Sequence, residues 1–117
     1  MAFNHGWRGP NIARDGLVLY LDAGSPNSYQ GSGTTWRDIS KFYQNNGTLT
    51  NGPTFSSANG GSIVFDGVDD YVGIPNNSSI NPNSGSFTII CWVNTDPTDG
   101  GDDWDLWVAK RSAGNNG

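Results

Sequence analysis

The sequence predicts an all-β fold, an antiparallel sandwich, and three observations predict it. Residues 16–23, 62–72 and 86–94 are short runs rich in Val, Ile, Leu, Phe, Tyr and Trp, the residues that fit a pleated, half-buried surface. Long stretches dominated by Gly, Asn, Ser and Pro separate them, as turn chemistry requires. No window of eleven or more residues repeats apolar positions at the three- and four-residue spacing of an amphipathic helix.

Taken in order, residues 16–23 place Leu17, Leu19 and Leu21 on one face and Val18, Tyr20 and Asp22 on the other, the period of two that marks a strand with one buried side. A polar loop follows to Thr35, after which Trp36 and Ile39 are expected to form a short buried edge. A brief strand over 48–50 ends at Asn51-Gly52-Pro53, a strong turn signal. Residues 62–65 and 71–74, joined by a tight turn at Asp66-Gly67, are expected to pair as a hairpin. Residues 75–85 read as polar loop. Residues 87–93 carry apolar side chains on both faces, as an interior strand does. Trp92 and Trp36 are expected in the core, and so is Cys91, the single cysteine, which has no partner for an internal disulfide. After an acidic loop at 96–103, residues 104–110 make the last strand.

These runs, together with Gly31-Ser-Gly-Thr-Thr-Trp36 and Asn46-Gly-Thr-Leu-Thr-Asn-Gly-Pro-Thr-Phe55, resemble the N-terminal part of a concanavalin A-like, laminin G-type jelly roll. The versions found in virion structural proteins of tailed bacteriophages are the most similar, and the likeness covers roughly residues 15–111. The resemblance implies an arm over residues 1–15 and the N-terminal portion of the jelly roll over 16–117. Jelly rolls of this family are about twice as long, so the remaining strands are expected either from a continuation of the polypeptide or from neighbours in an assembly.

At 117 residues and 12.5 kDa there is room for one small domain. The net charge is −5, and all eleven acidic residues are Asp, a balance that opposes attraction to phosphate backbones or anionic lipid. The six basic residues, Arg8, Arg14, Arg37, Lys41, Lys110 and Arg111, are dispersed, so no nucleic-acid partner is expected. No apolar run approaches the length of a membrane span, and the N-terminus lacks the apolar core of a signal peptide.

Catalytic chemistry finds few residues. Glycosidases of the concanavalin A-like fold use paired Glu, and this chain has none. His5, the only histidine, lies in the arm away from a plausible nucleophile. One His and one Cys cannot fill a zinc site. The expectation is a protein without enzymatic activity.

Binding chemistry is better represented. Trp104, Trp107, Asn94 and Asp105 could supply the aromatic platform and polar groups of a glycan site, although Trp104 and Trp107 point to opposite faces of a regular strand. Asp96, Asp99, Asp102, Asp103 and Asp105 crowd five carboxylates into ten residues, and their repulsion would be relieved by calcium, with Asp99, Asp102 and Asp103 as ligands. Asp66, Asp69 and Asp70 fit turn capping better than metal binding. In the arm, Phe3, Trp7, Arg8 and Ile12 are the candidates for anchoring to other virion proteins. The function expected from the resemblance is structural: a tail fibre, tail-tip or capsid-decorating protein, oligomeric in its assembly, displaying a lectin-like jelly roll for host-surface attachment, with host glycans as ligands. The alternative is a carbohydrate-binding module of a secreted or surface bacterial protein.

Overall fold

A computed structural model describes residues 12–41, 44–95 and 107–110. Five short strands carry the fold: β1 (Thr35–Trp36), β2 (Gly47–Thr50), β3 (Thr54–Ser56), β4 (Ser62–Val64) and β5 (Tyr71–Gly73). They form two antiparallel sheets, one ordered β1-β2-β5 and the other the pair β3-β4. Single 3-10 turns at Ala58–Gly60 and Ser78–Ile80 are the only helical elements among the described residues. The chain is thus β-rich. It divides into two units, Met1–Gly85 and Ser86–Gly117, and all five strands belong to the first.

β2 organises the first sheet. Its residues alternate buried and exposed, with Gly47 and Leu49 inward. Leu49 stands opposite Val72 of β5, and Thr48 opposite both Thr35 of β1 and Gly73 of β5. Gly47 is needed for contact, since a Cβ there would lie 2.6 Å from Val72 Cγ1 and 3.6 Å from Leu21 Cδ1. The strand ends where sequence chemistry says it must, at Asn51 (φ 68°) and Gly52 (φ 106°), left-handed conformations that these two residue types tolerate best.

The second sheet is a hairpin in which Phe55 faces Ile63, its strands joined through Ala58–Gly60. Phe55 packs on Tyr29, with ring centroids 5.4 Å apart. The backbones of Gly24 and Gly61 also touch so closely that a side chain at either would collide with the other segment. The loop over 21–31 therefore reaches both sheets, Leu21 toward Gly47 and Tyr29 toward Phe55.

The strands depart from the sequence expectation in their pairing and extent. Residues 62–64 and 71–73 are strands, but not partners: β4 pairs with β3 and β5 with β2. The turn between them is closed on itself by side chains. Val68 N–H and Asp69 N–H donate to Asp66 Oδ1 (2.8 and 3.4 Å), and Asp66 N–H donates to Asp70 Oδ2 (3.0 Å). It carries the chain from one sheet to the other rather than folding it back, and Asn51 Nδ2 ties it to β2 through Asp69 O at 2.8 Å.

Residues 16–23 form no ladder strand. Leu17, Leu19 and Leu21 are all half-buried, as are Val18, Tyr20 and Asp22, so the expected two-faced pattern is absent. The segment does run beside residues 37–39: Ile39 N–H donates to Tyr20 O at 2.9 Å, but Tyr20 N–H goes to Asp38 Oδ1 at 3.0 Å. A side-chain carboxylate has replaced a ladder carbonyl.

Residues 87–93 are not a strand either, and Trp92 and Cys91, expected in the core, are exposed. Of the last expected strand, 107–110 are irregular and exposed, and 104–106 lie outside the described residues. Trp36 is half-buried in β1 as an edge residue.

Candidate functional site

Two places concentrate unusual chemistry among the described residues: a buried polar knot in the first unit and an exposed apolar segment in the second.

The knot holds the side chains that are most completely buried, and all of them are polar: Asn45, Asp38, Ser28 and Ser40. Asp38, 1% exposed, is its centre. Oδ1 accepts from the amides of Tyr20 (3.0 Å) and Ser40 (2.9 Å), and Oδ2 from the amide of Asn45 (3.1 Å). Burial by itself pushes the Asp38 carboxyl up; the amides of Ser40, Tyr20 and Asn45 outweigh it and hold the group below the usual carboxylate value. Ser40 Oγ is buried without a hydrogen-bond partner, yet its nearness to the carboxylate also favours the charged form.

Asn45 carries the knot outward, donating from Nδ2 to Val18 O (2.7 Å) and Ser79 Oγ (2.9 Å). Ser28 Oγ accepts from Asp22 N–H (3.0 Å) and donates to Arg37 O (2.6 Å). Four loop segments are thereby pinned without a helix or a long ladder. Burial pushes the neighbouring Tyr20 phenol up, aided by the negative charge of Asp22. Backbone groups meet most of the knot's hydrogen bonds and Ser79 Oγ meets another, while Ser40 Oγ and Asn45 Oδ1 are buried without a partner among the described residues; the knot's main work is to pin loops.

The second place is the run Phe87, Ile89, Ile90, Trp92 and Val93, every member exposed, Ile90 to 81% and Trp92 to 96%. Its residues are strand formers with apolar side chains on both faces, and none lies in a strand. In the first unit, Val64, Phe65, Val68 and Tyr71 are exposed as well.

Of the predicted glycan-site residues, Asn94 and Trp107 are both exposed, Trp107 to 65%. Trp104 and Asp105 lie outside the described residues. So do the predicted calcium ligands Asp99, Asp102 and Asp103, and the anchoring residues Phe3, Trp7 and Arg8. Ile12, the remaining anchoring candidate, is 43% exposed.

Asp66, Asp69 and Asp70 bring carboxylate oxygens within 4.8 Å of one another. An all-oxygen set of this kind suits a hard cation such as calcium. Asp66 Oδ1 and Asp70 Oδ2 are already engaged by backbone amides, which is the capping role the sequence suggests. The knot escaped sequence reasoning. Its one local signal is Asp38 two residues before Ser40, the spacing at which an Asp side chain accepts from its own backbone further on.

Comparison with models of known protein families, with curated proteins and with solved structures finds no match for this chain. What the structure supports is a β-rich fold of two small antiparallel sheets. No helix among the described residues is long and apolar enough to cross a membrane.

Proposed function

We propose that this chain is a structural, non-enzymatic protein of a phage virion, a tail fibre, tail-tip or capsid decoration. Its β-rich unit is the N-terminal portion of a concanavalin A-like jelly roll presented for attachment to the host surface. The observation that carries the reading is the exposed run at 87–93. A soluble protein seldom leaves a contiguous apolar segment of this size in water unless other protein covers it. Strand-forming sequence with both faces apolar is suited to insertion between strands of a sheet. The arm, through Phe3, Trp7, Arg8 and Ile12, is the proposed attachment to neighbouring virion proteins. Mass spectrometry of purified virions from the source of this sequence is expected to find the chain at stoichiometric copy number. Its absence from particles made while it is expressed would contradict the reading.

A second reading, a carbohydrate-binding module of a secreted or surface bacterial protein, is favoured by one observation: Trp107 presents its indole to solvent, as a sugar-stacking platform must. On that reading Trp107→Ala is expected to abolish retention on host polysaccharide, and unchanged retention would remove Trp107 from any sugar site.

A further inference from the structure

Beside the polar knot lies a cleft of about 460 Å³ lined by Arg14, Asn27, Arg37, Asp38, Ile39 and Asn46, a volume in the range of small-molecule sites. Its lining offers donors. Among the described residues, the guanidinium groups of Arg14 and Arg37 make no ion pair and no hydrogen bond, and the Asn27 side chain makes none either. Asn46 Oδ1 accepts from Asp38 N–H at 2.9 Å. That bond fixes the amide and leaves both hydrogens of Asn46 Nδ2 unspent among the described residues.

The only acid in the lining is Asp38, and its oxygens are turned into the backbone, where three amides hold them. It is 1% exposed and touches neither arginine through an ion pair. The cleft therefore gathers two cationic groups and two side-chain amides able to donate, and its one carboxylate is turned away, within a chain whose net charge is −5. Unpaired arginine forks beside amide donors match the planar, multiply accepting shape of a carboxylate or phosphate. The surrounding negative charge repels an extended polyanion far more than an ion of one or two charges. Arg37 also borders a smaller depression of about 160 Å³ that includes Gln30 and Thr35, partners for hydroxyl groups.

We propose that this cleft binds a small hydrophilic oxyanion, the carboxylate or phosphate of a sugar-sized molecule, with Arg14 and Arg37 taking the charge and Asn27 and Asn46 donating to the oxygens beside it. The proposal does not depend on what covers residues 87–93.

The test is titration of the protein with inorganic phosphate, with glucuronate and with glucose, followed by amide NMR. Phosphate and glucuronate are expected to shift the side-chain amide signals of Asn27 and Asn46 saturably, and glucose is not. Tighter binding of glucuronate would identify an acidic sugar as the source of the oxyanion, and tighter binding of phosphate a phosphorylated one. Arg14→Gln with Arg37→Gln should weaken binding by about tenfold or more, the scale of losing charge-assisted bonds. Lys41→Gln, which removes the same charge outside the cleft, should leave it unchanged. Both arginines are exposed, and an undisturbed backbone spectrum confirms that the double variant is folded. Failure of either anion to saturate, an equal response to glucose, or undiminished binding by the double variant would each overturn the assignment.

Discussion

Asp38→Ala is expected to cost the β-rich unit about 3–5 kcal/mol, because it leaves the amides of Tyr20, Ser40 and Asn45 buried without an acceptor. Domains are stable by only about 5–15 kcal/mol, so a large share of the fold's margin goes with one side chain. The loss is large because of what surrounds the residue. Among the described residues only Tyr29 and Leu49 are buried apolar side chains, and no cluster of them is available to hold the loops if the knot is opened. Urea denaturation read by tryptophan fluorescence checks the value, and a change below about 1 kcal/mol, the scale of an ordinary surface substitution, would show that water replaces the carboxylate at little cost.

The same residue sets a pH dependence. Its folded carboxyl lies below the ordinary value, so the unfolded chain takes up the proton at higher pH than the folded chain does. The stability contributed by Asp38 is therefore fully present above the ordinary Asp value of about 4, and is lost as pH falls through the lower folded value. Denaturation at pH 7 and pH 3 should show this loss in the parent protein, and Asp38→Asn, which cannot ionise, should show a shallower one.

The second large effect belongs to residues 87–93. Ile90→Lys with Trp92→Lys is expected to leave the folding of the strand-bearing unit unchanged and to destroy incorporation into the assembly. Truncating a buried anchor residue at an interface costs about 2 kcal/mol or more, so two together cost roughly 4 kcal/mol, about a thousandfold in affinity, and the inserted charges add desolvation. Competition between parent and variant chains for assembly into particles reads the effect directly.

How much was legible in the sequence follows the range of the interaction concerned. β2 and its stop at Asn51-Gly52 were legible, because turn residues with left-handed backbone are chosen locally. The capping role of Asp66 was legible for the same reason. The partners of β4 and β5 were not, since two strands joined by a short turn look like a hairpin unless the turn is seen to close on itself. The leucine alternation over 17–21 predicts a two-faced strand, and the segment is no strand, with both sets of side chains half-buried. Nothing in it foretold that Asp38, eighteen residues beyond Tyr20, would supply a carboxylate where a strand supplies a carbonyl.

Apolar content at 87–93 predicts burial, Trp92 and Cys91 included, and the structure leaves the run exposed. Composition shows what a segment prefers to pack against without supplying the surface that covers it. The candidate site divides in the same way. Trp107 and Asn94 are exposed, as a binding residue must be, whereas Arg14 and Arg37, dispersed in the sequence, share a cleft only once the chain is folded.

Hydrogen exchange at residues 87–93, measured on this chain alone and again on the native assembly, decides whether neighbouring strands cover the run. Exchange near the rate of an unstructured peptide is expected for the chain alone, and strong protection in the assembly, where neighbouring strands take up the backbone amides. Equal lack of protection in both states would contradict coverage by neighbouring strands, as would full protection in the chain alone.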